Sequence, residues 1–201
     1  MSRVRYAVEG WTDEPIAEKL ICLVGCSPVK TFTAGGSSKL DPRIGGFNNA
    51  AKHSPWLVLR DLDRERCASQ VISQLLSGTP LTAGMCLRVP VRAAEAWLLA
   101  DAVAFADHFL INVGLLPSSP DEEPDPKEAL VNACRRSRSK TTRRAMVPRP
   151  RSGASVGPEF GVRTRYFAQE IWDPERAMAR SPSLLRSVAR IREQAESGAW
   201  P

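Results

Sequence analysis

Apolar and polar positions change period repeatedly along the first half of the chain. Arg5-Tyr6-Ala7-Val8 reads as a strand, and the turn Glu9-Gly10-Trp11 follows it. Thr12 or Asp13 can cap the next helix, with Pro15 in its first turn, where a missing N–H costs nothing. Ile16, Leu20, Ile21, Leu23 and Val24 give that helix an apolar face at helical spacing. Val29–Thr33 predicts a second strand closed by Gly35-Gly36, and a helix over about 41–53 follows, weakened by Gly45-Gly46. Trp56-Leu57-Val58-Leu59 is continuously apolar, as a central strand covered on both faces requires. A helix over about 65–76, a strand over 85–89 and a helix over about 91–109 complete the series. This alternation predicts an α/β unit with a mostly parallel sheet flanked by helices.

The texture changes after Leu115. Pro117, Pro120, Pro124 and Pro126 punctuate an acidic loop, which leads to a short helix over about 127–136. A basic block follows, and then helices over about 158–172, 174–180 and 183–196, the last with Ser183 as its cap. The expected organisation is a sheet domain over 1–112. A Pro-rich loop, basic segment and helical C-terminal extension over 113–201 packs on it.

Composition narrows the class. A chain of 201 residues can bury a core without disulfide staples, and 43% apolar with 25% charged residues excludes wholesale disorder. No apolar run approaches the ~20 residues of a bilayer span, and 1–5 enters a strand pattern without a signal-peptide core, so the expectation is a cytoplasmic protein without membrane contact. The five cysteines show no C-x-x-C spacing and only two histidines accompany them, so they are expected as small buried hydrophobes rather than zinc ligands.

Charge distribution adds a partner. Between Arg135 and Arg151 lie Arg135, Arg136, Arg138, Lys140, Arg143, Arg144, Arg149 and Arg151, with no acid among them. Contact with nucleic acid through its backbone phosphates, by Arg135, Arg136, Arg138, Lys140, Arg143 and Arg144, is one reading; a solvated arginine-rich loop is the other.

The chemistry falls where strands stop. Glu9 follows the first strand, and Asp61, Asp63 and Glu65 follow the apolar run 56–59. Ligands of open parallel sheets bind outside the carboxyl ends of strands at a switch in strand order. If the two strands are neighbours, Glu9, Asp61 and Asp63 converge, and crowded carboxylates call for a hard divalent cation, Mg²⁺ or Mn²⁺. Gly35-Gly36-Ser37-Ser38-Lys39 lacks the frame of a nucleotide-binding P-loop.

Val8-Glu9-Gly10…Asp13 with Leu59-Arg60-Asp61-Leu62-Asp63 resembles the Toprim domain of topoisomerases, primases and overcoming-lysogenization-defect nucleases. With Pro55–Asp63, Arg88–Asp101 and Asp125-Pro126-Lys127 added, the chain is similar to the Toprim-like proteins grouped as domain-of-unknown-function family 4276. The resemblance implies a Toprim-like, Rossmann-like fold and a metal-dependent nuclease or phosphodiester-processing subunit. It also implies service in antiphage defence or a mobile element beside an ATPase partner. By the same resemblance Glu9 is an acid/base or metal-contacting group and Asp61 and Asp63 are metal ligands. Glu65 stands where some Toprim proteins hold a third acid. Glu95 is placed to complete a second metal shell, and Lys127 to meet a phosphate. Asp101 lies about 240° around the helix from Glu95, so a cap or surface position is expected for it. Trp97 is expected in the core. Trp11 either packs on the sheet end or stacks on a base. Neither Tyr6 nor Tyr166 is placed for covalent attack, which favours hydrolysis over strand passage. Two other functions fit the residues: a non-catalytic sensor or effector docking on the ATPase, and a hydrolase of small phosphorylated nucleotides. An oligomer is compatible with each.

Overall fold

The four residues Trp56–Leu59 are buried on both sides, and they form the short strand around which the rest is arranged. A computed structural model describes residues 2–200. In chain order the first half runs β1 (Arg3–Val8), α1 (Glu14–Leu23), β2 (Ser27–Thr33), α2 (Ser37–Ala50), β3 (Trp56–Leu59), α3 (Ala68–Leu75) and β4 (Met85–Arg88). The strands make one open sheet in the order β2-β1-β3-β4, with every pairing parallel. The chain first winds outward from β1 to β2, then returns to the other side of β1 for β3. The switch in direction therefore lies between β1 and β3.

Strand alternation sorts the core into two clusters. Val4, Tyr6 and Val8 of β1 and Leu57 and Leu59 of β3 face one side, with Ile16, Leu20 and Ile21 of α1. Ala7, Trp56, Val58, Met85 and Leu87 face the other, with Leu40 and Ile44 of α2. The protein is thus an α/β fold with an all-parallel sheet between helical layers.

The second half contributes α4 (Glu95–Ala100), α5 (Ala102–Phe109), α6 (Pro126–Arg135), α7 (Lys140–Met146), α8 (Phe160–Tyr166), α9 (Pro174–Met178) and α10 (Pro182–Glu196). These pack on the α1 side, and the larger cluster takes residues from both sides of position 112. Trp97 is fully buried, as expected, and its Nε1 donates to Ser183 Oγ at 2.8 Å. No helix among the described residues is long and apolar enough to cross a membrane.

Several elements differ from the pattern-based expectation. The helix expected over 91–109 is two, broken at Asp101 (φ −82°, ψ 61°), whose carboxylate is buried and held by Arg176 at 2.7 Å and by the Asp173 N–H at 3.0 Å. Of its two expected placements, Asp101 takes the N-cap position of α5, without a side-chain cap bond, and is not a surface acid. The helix α2 starts at Ser37 and continues through Pro42, because Lys39 and Leu40 N–H already bond to Gly36 O. The helix α3 starts only at Ala68, because residues 60–63 stay zipped to the segment after β4. Ser181, not Ser183, caps α10, with its Oγ accepting from Leu184 N–H behind Pro182. The helix expected over 158–172 is α8 followed by a wider π-type turn over Phe167–Ile171. Of the cysteines, Cys26, Cys86 and Cys134 are buried as expected, but Cys22 is exposed and Cys67 half-exposed; all five are free thiols.

Candidate functional site

The two strands on either side of the switch end in acids that meet. Past β1, the Glu9 carbonyl accepts from Gly35 and Gly36 N–H, fixing the backbone to the end of β2. The Glu9 side chain turns the other way, and its Oε1 accepts the backbone N–H of Asp61 at 2.8 Å. Past β3 the pairing with β4 persists in irregular backbone: Arg60 N–H bonds to Arg88 O, Leu62 to Pro90 and Asp63 to Arg92. That zipper carries Asp61 to the start of α4, where its Oδ1 accepts from Ala94 N–H at 3.0 Å.

Asp63 does not follow the side-to-side alternation of an extended strand. It and its partner Arg92 both adopt positive φ, 52° and 63°, a conformation that L side chains avoid and that is enriched at functional sites. The Asp63 carboxylate is half-exposed and lies 3.6 Å from Arg60 Nη1. Arg60 itself is buried, its fork engaged by Asp41 at 3.2 Å on both arms.

Two further carboxylates complete the rim. Asp13, four residues after Glu9, does not cap α1; its Oδ2 accepts from Gly10 N–H at 2.8 Å, which holds it over the sheet end. A Cβ on Gly10 would stand 3.2 Å from that oxygen, so the tight turn suits glycine. Glu95 opens α4, is buried, and pairs with Lys127 Nζ at 3.4 Å. Lys127 sits behind Pro126 in the first turn of α6, where Asp125 caps the helix. Five carboxylates (Glu9, Asp13, Asp61, Asp63 and Glu95) therefore lie within electrostatic reach of one another, with Arg60 and Lys127 as their cations.

This imbalance shows in the acidities. Burial pushes Glu9 up to about 7, with Asp63 and Asp13 adding to it and the Asp61 N–H opposing it. Burial and then Glu95 raise Asp13 to about 6. Asp61 is driven well above the ordinary carboxylate range by burial and by Asp13, Glu95, Glu9 and Asp63. Lys127 is shifted up, chiefly by Glu95. Such a cluster binds protons near neutrality unless another cation replaces them.

The donors suit a hard cation. Every one is a carboxylate oxygen, and Glu9 Oε2 and Asp61 Oδ2 accept no hydrogen bond from the described residues. Among the described residues no three or more His, Cys, Asp or Glu side chains are gathered into a finished metal cage. A cation held by Glu9, Asp61 and Asp63 would require Asp63 to swing off Arg60.

The remaining residues singled out in the sequence are placed as follows. Glu65 is exposed and lines the mouth of a cleft of about 430 Å³ shared with Asp61, Asp63, Arg92 and Lys127. Trp11 is about half exposed, with Gly161 of α8 against its ring and the Arg165 guanidinium 5.6 Å from the ring centroid. Arg165 also donates to Trp11 O and to Glu14. In the basic block, Arg135, Lys140, Arg143 and Arg144 surround one hollow with Arg149, whereas Arg136 lines a different one and Arg138 lines neither. Asp13, which the sequence offers as a cap and as a member of the Val8-Glu9-Gly10…Asp13 string, is brought to the rim by the non-helical turn at Gly10. No family model, curated protein or solved structure matches the chain. Fold and site define an α/β protein with an acidic cluster at the switch point of its sheet.

Proposed function

We propose that this chain is a Toprim-like phosphodiesterase that cleaves nucleic acid with Mg²⁺ or Mn²⁺ and works beside an ATPase partner. The observation that carries the reading is the direct hydrogen bond from Asp61 N–H to Glu9 Oε1, which joins the E-G turn to the D-x-D turn across β1 and β3. Glu9, Asp61 and Asp63 would hold a divalent cation, which would supply charge neutralisation on phosphate oxygens and an acidified water. Glu9, whose proton affinity near neutrality belongs to the cation-free cluster, would give up its proton as the cation binds, and solvent would take the proton of the attacking water and protonate the leaving oxygen. Lys127, anchored by Glu95, presents its ammonium to a non-bridging phosphate oxygen. Glu65 and Arg92 border the entrance to the cleft.

A second reading is favoured by size. About 430 Å³ lies within the range of small-ligand pockets, which suits a phosphorylated mononucleotide. Purified protein incubated with Mn²⁺ and either supercoiled plasmid or nucleoside phosphates separates the two. Nicking that disappears in Glu9→Gln and Asp61→Asn, both with wild-type melting or better, supports the nuclease. Turnover of mononucleotides with intact plasmid would transfer the proposal to the smaller substrate, and inertness toward both would overturn it.

A further inference from the structure

The basic block is not spread evenly over the surface. The C-terminal turn of α6, the whole of α7 and the Pro148–Pro150 segment enclose a hollow of about 570 Å³ lined by Arg135, Lys140, Arg143, Arg144 and Arg149 over a floor of Val147 and prolines. No acidic side chain lines it, and among the described residues none of the five cations has a carboxylate within ion-pair distance. Arg143 is held in place by donating to Ser137 O. The loop that closes the hollow is fastened at its far end, where Gly157 N–H bonds to Met146 O and Glu159 N–H to Ala145 O. Four of these five cations are exposed and the fifth is half-buried, so solvent carries their charge when the hollow is empty, and a concavity without an acid offers a phosphate group several charge-assisted contacts.

The position of this hollow relative to the carboxylates follows from one helix. Lys127 and Arg135 both lie on α6, eight residues apart. At 1.5 Å and 100° per residue they are separated by about 12 Å along the axis and about 80° around it. The phosphates of a strand lie on its outside and are farther apart than its axial rise of about 3.4 Å per nucleotide, so about 12 Å corresponds to about two or three steps.

We propose that the hollow at the C-terminal end of α6 is an anchor for a backbone phosphate two or three nucleotides away from the phosphate at the carboxylate cluster. The anchor deepens the nuclease reading and rests on it. With α6 as a rigid spacer, the protein engages a strand at two fixed points, which favours polynucleotides over mononucleotides.

The test is binding of labelled single-stranded oligonucleotides of about two to ten nucleotides, followed by fluorescence anisotropy in EDTA at several salt concentrations. Wild-type affinity is expected to rise by about tenfold or more once the strand exceeds about three nucleotides, the gain from added charge-assisted contacts. In Lys140→Ala/Arg144→Ala, two exposed positions, that step disappears and the log–log salt slope falls by about 1.4, at about 0.7 per lost phosphate contact. Arg190→Ala on α10, which also removes exposed charge, keeps the step. Equal length profiles in wild type and double variant overturn the anchor, and so does inorganic pyrophosphate competing as strongly as a ten-nucleotide strand, which would assign the hollow to free phosphate compounds. Because binding is read without metal, a protein that binds with the length step but never cleaves refutes the nuclease reading alone. A double variant that cleaves with the wild-type length profile refutes the anchor alone.

Discussion

Replacing Glu9 by Gln removes one negative charge from the rim while keeping the oxygen that accepts the Asp61 N–H. Burial holds Glu9 at about 7 instead of the usual 4.5. A group whose acidity is shifted upward in the fold stabilises the protein below its unfolded value and loses that contribution as pH rises through its folded value. Without metal, ionised Glu9 therefore penalises the fold above about pH 7 by up to about 3 kcal/mol, at about 1.4 kcal/mol per unit. Gln carries no such penalty. Glu9→Gln in EDTA is expected to melt higher than wild type at about pH 8, by about 6–12 °C at 2–4 °C per kcal/mol for a chain of this size. The difference shrinks toward about pH 5, where folded wild type holds the proton. Mg²⁺ at about a thousand times its Kd reverses the order, because it adds about 4.1 kcal/mol to wild type and little to the variant. Differential scanning calorimetry across pH, with EDTA or MgCl₂, reads all three effects. A variant that melts lower than wild type by the same amount at every pH, with Mg²⁺ shifting both equally, would refute the argument; Glu9 would then be only a structural acceptor.

Asp13→Asn keeps an acceptor for Gly10 N–H, so its melting in EDTA stays at or above wild type, while the Mg²⁺-induced rise in Tm is smaller; an unchanged rise excludes Asp13 from the cation site. Lys127→Met leaves buried Glu95 without its counter-ion and is expected to cost about 1–2 kcal/mol, discounted for the half-exposed lysine; adding Glu95→Gln restores the loss, a coupling measured by a double-mutant cycle in urea. Gly161→Ala puts a Cβ 2.7 Å from the Trp11 ring, so Trp11 must leave its place under Arg165. Because Trp56, Trp97, Trp172 and Trp200 are buried, acrylamide quenching of fluorescence reports Trp11 alone, and it should increase in that variant.

What could be read from the sequence was set by local pattern. Alternation in β1 and the unbroken apolar run of β3 are properties of consecutive residues, and they place Glu9 and Asp61 at strand ends without any tertiary knowledge. The break at Asp101 has no such signature: Ala93–Ala106 is rich in helix formers, and the interruption comes from Arg176 and the Asp173 N–H, more than seventy residues away. Asp13 was misread because a short carboxylate ahead of a helix is ordinarily its cap. In the fold the Gly10 turn offers a nearer N–H and redirects the side chain. The pairing of Glu95 with Lys127 was equally hidden, since it depends on α4 and α6 packing side by side.

That packing explains why a four-stranded sheet is accompanied by so many helices. Acids on loop ends hold their geometry only if their supports are rigid. The helix α4 brings Glu95 to the rim with its first residue and buries Trp97 with its third. Trp97 donates through its indole to Ser183 on α10 and accepts at its carbonyl from the Trp172 indole, so two elements of the second half fix the turn that carries Glu95. The same half supplies Lys127 from α6 and clamps Trp11 with Gly161 and Arg165 of α8. The strands bring the acids together, and the helical half holds them against their mutual repulsion. Loosening Trp97, which stands two residues from Glu95 and outside the acidic cluster, from Ser183 should therefore weaken the rim through Glu95 first.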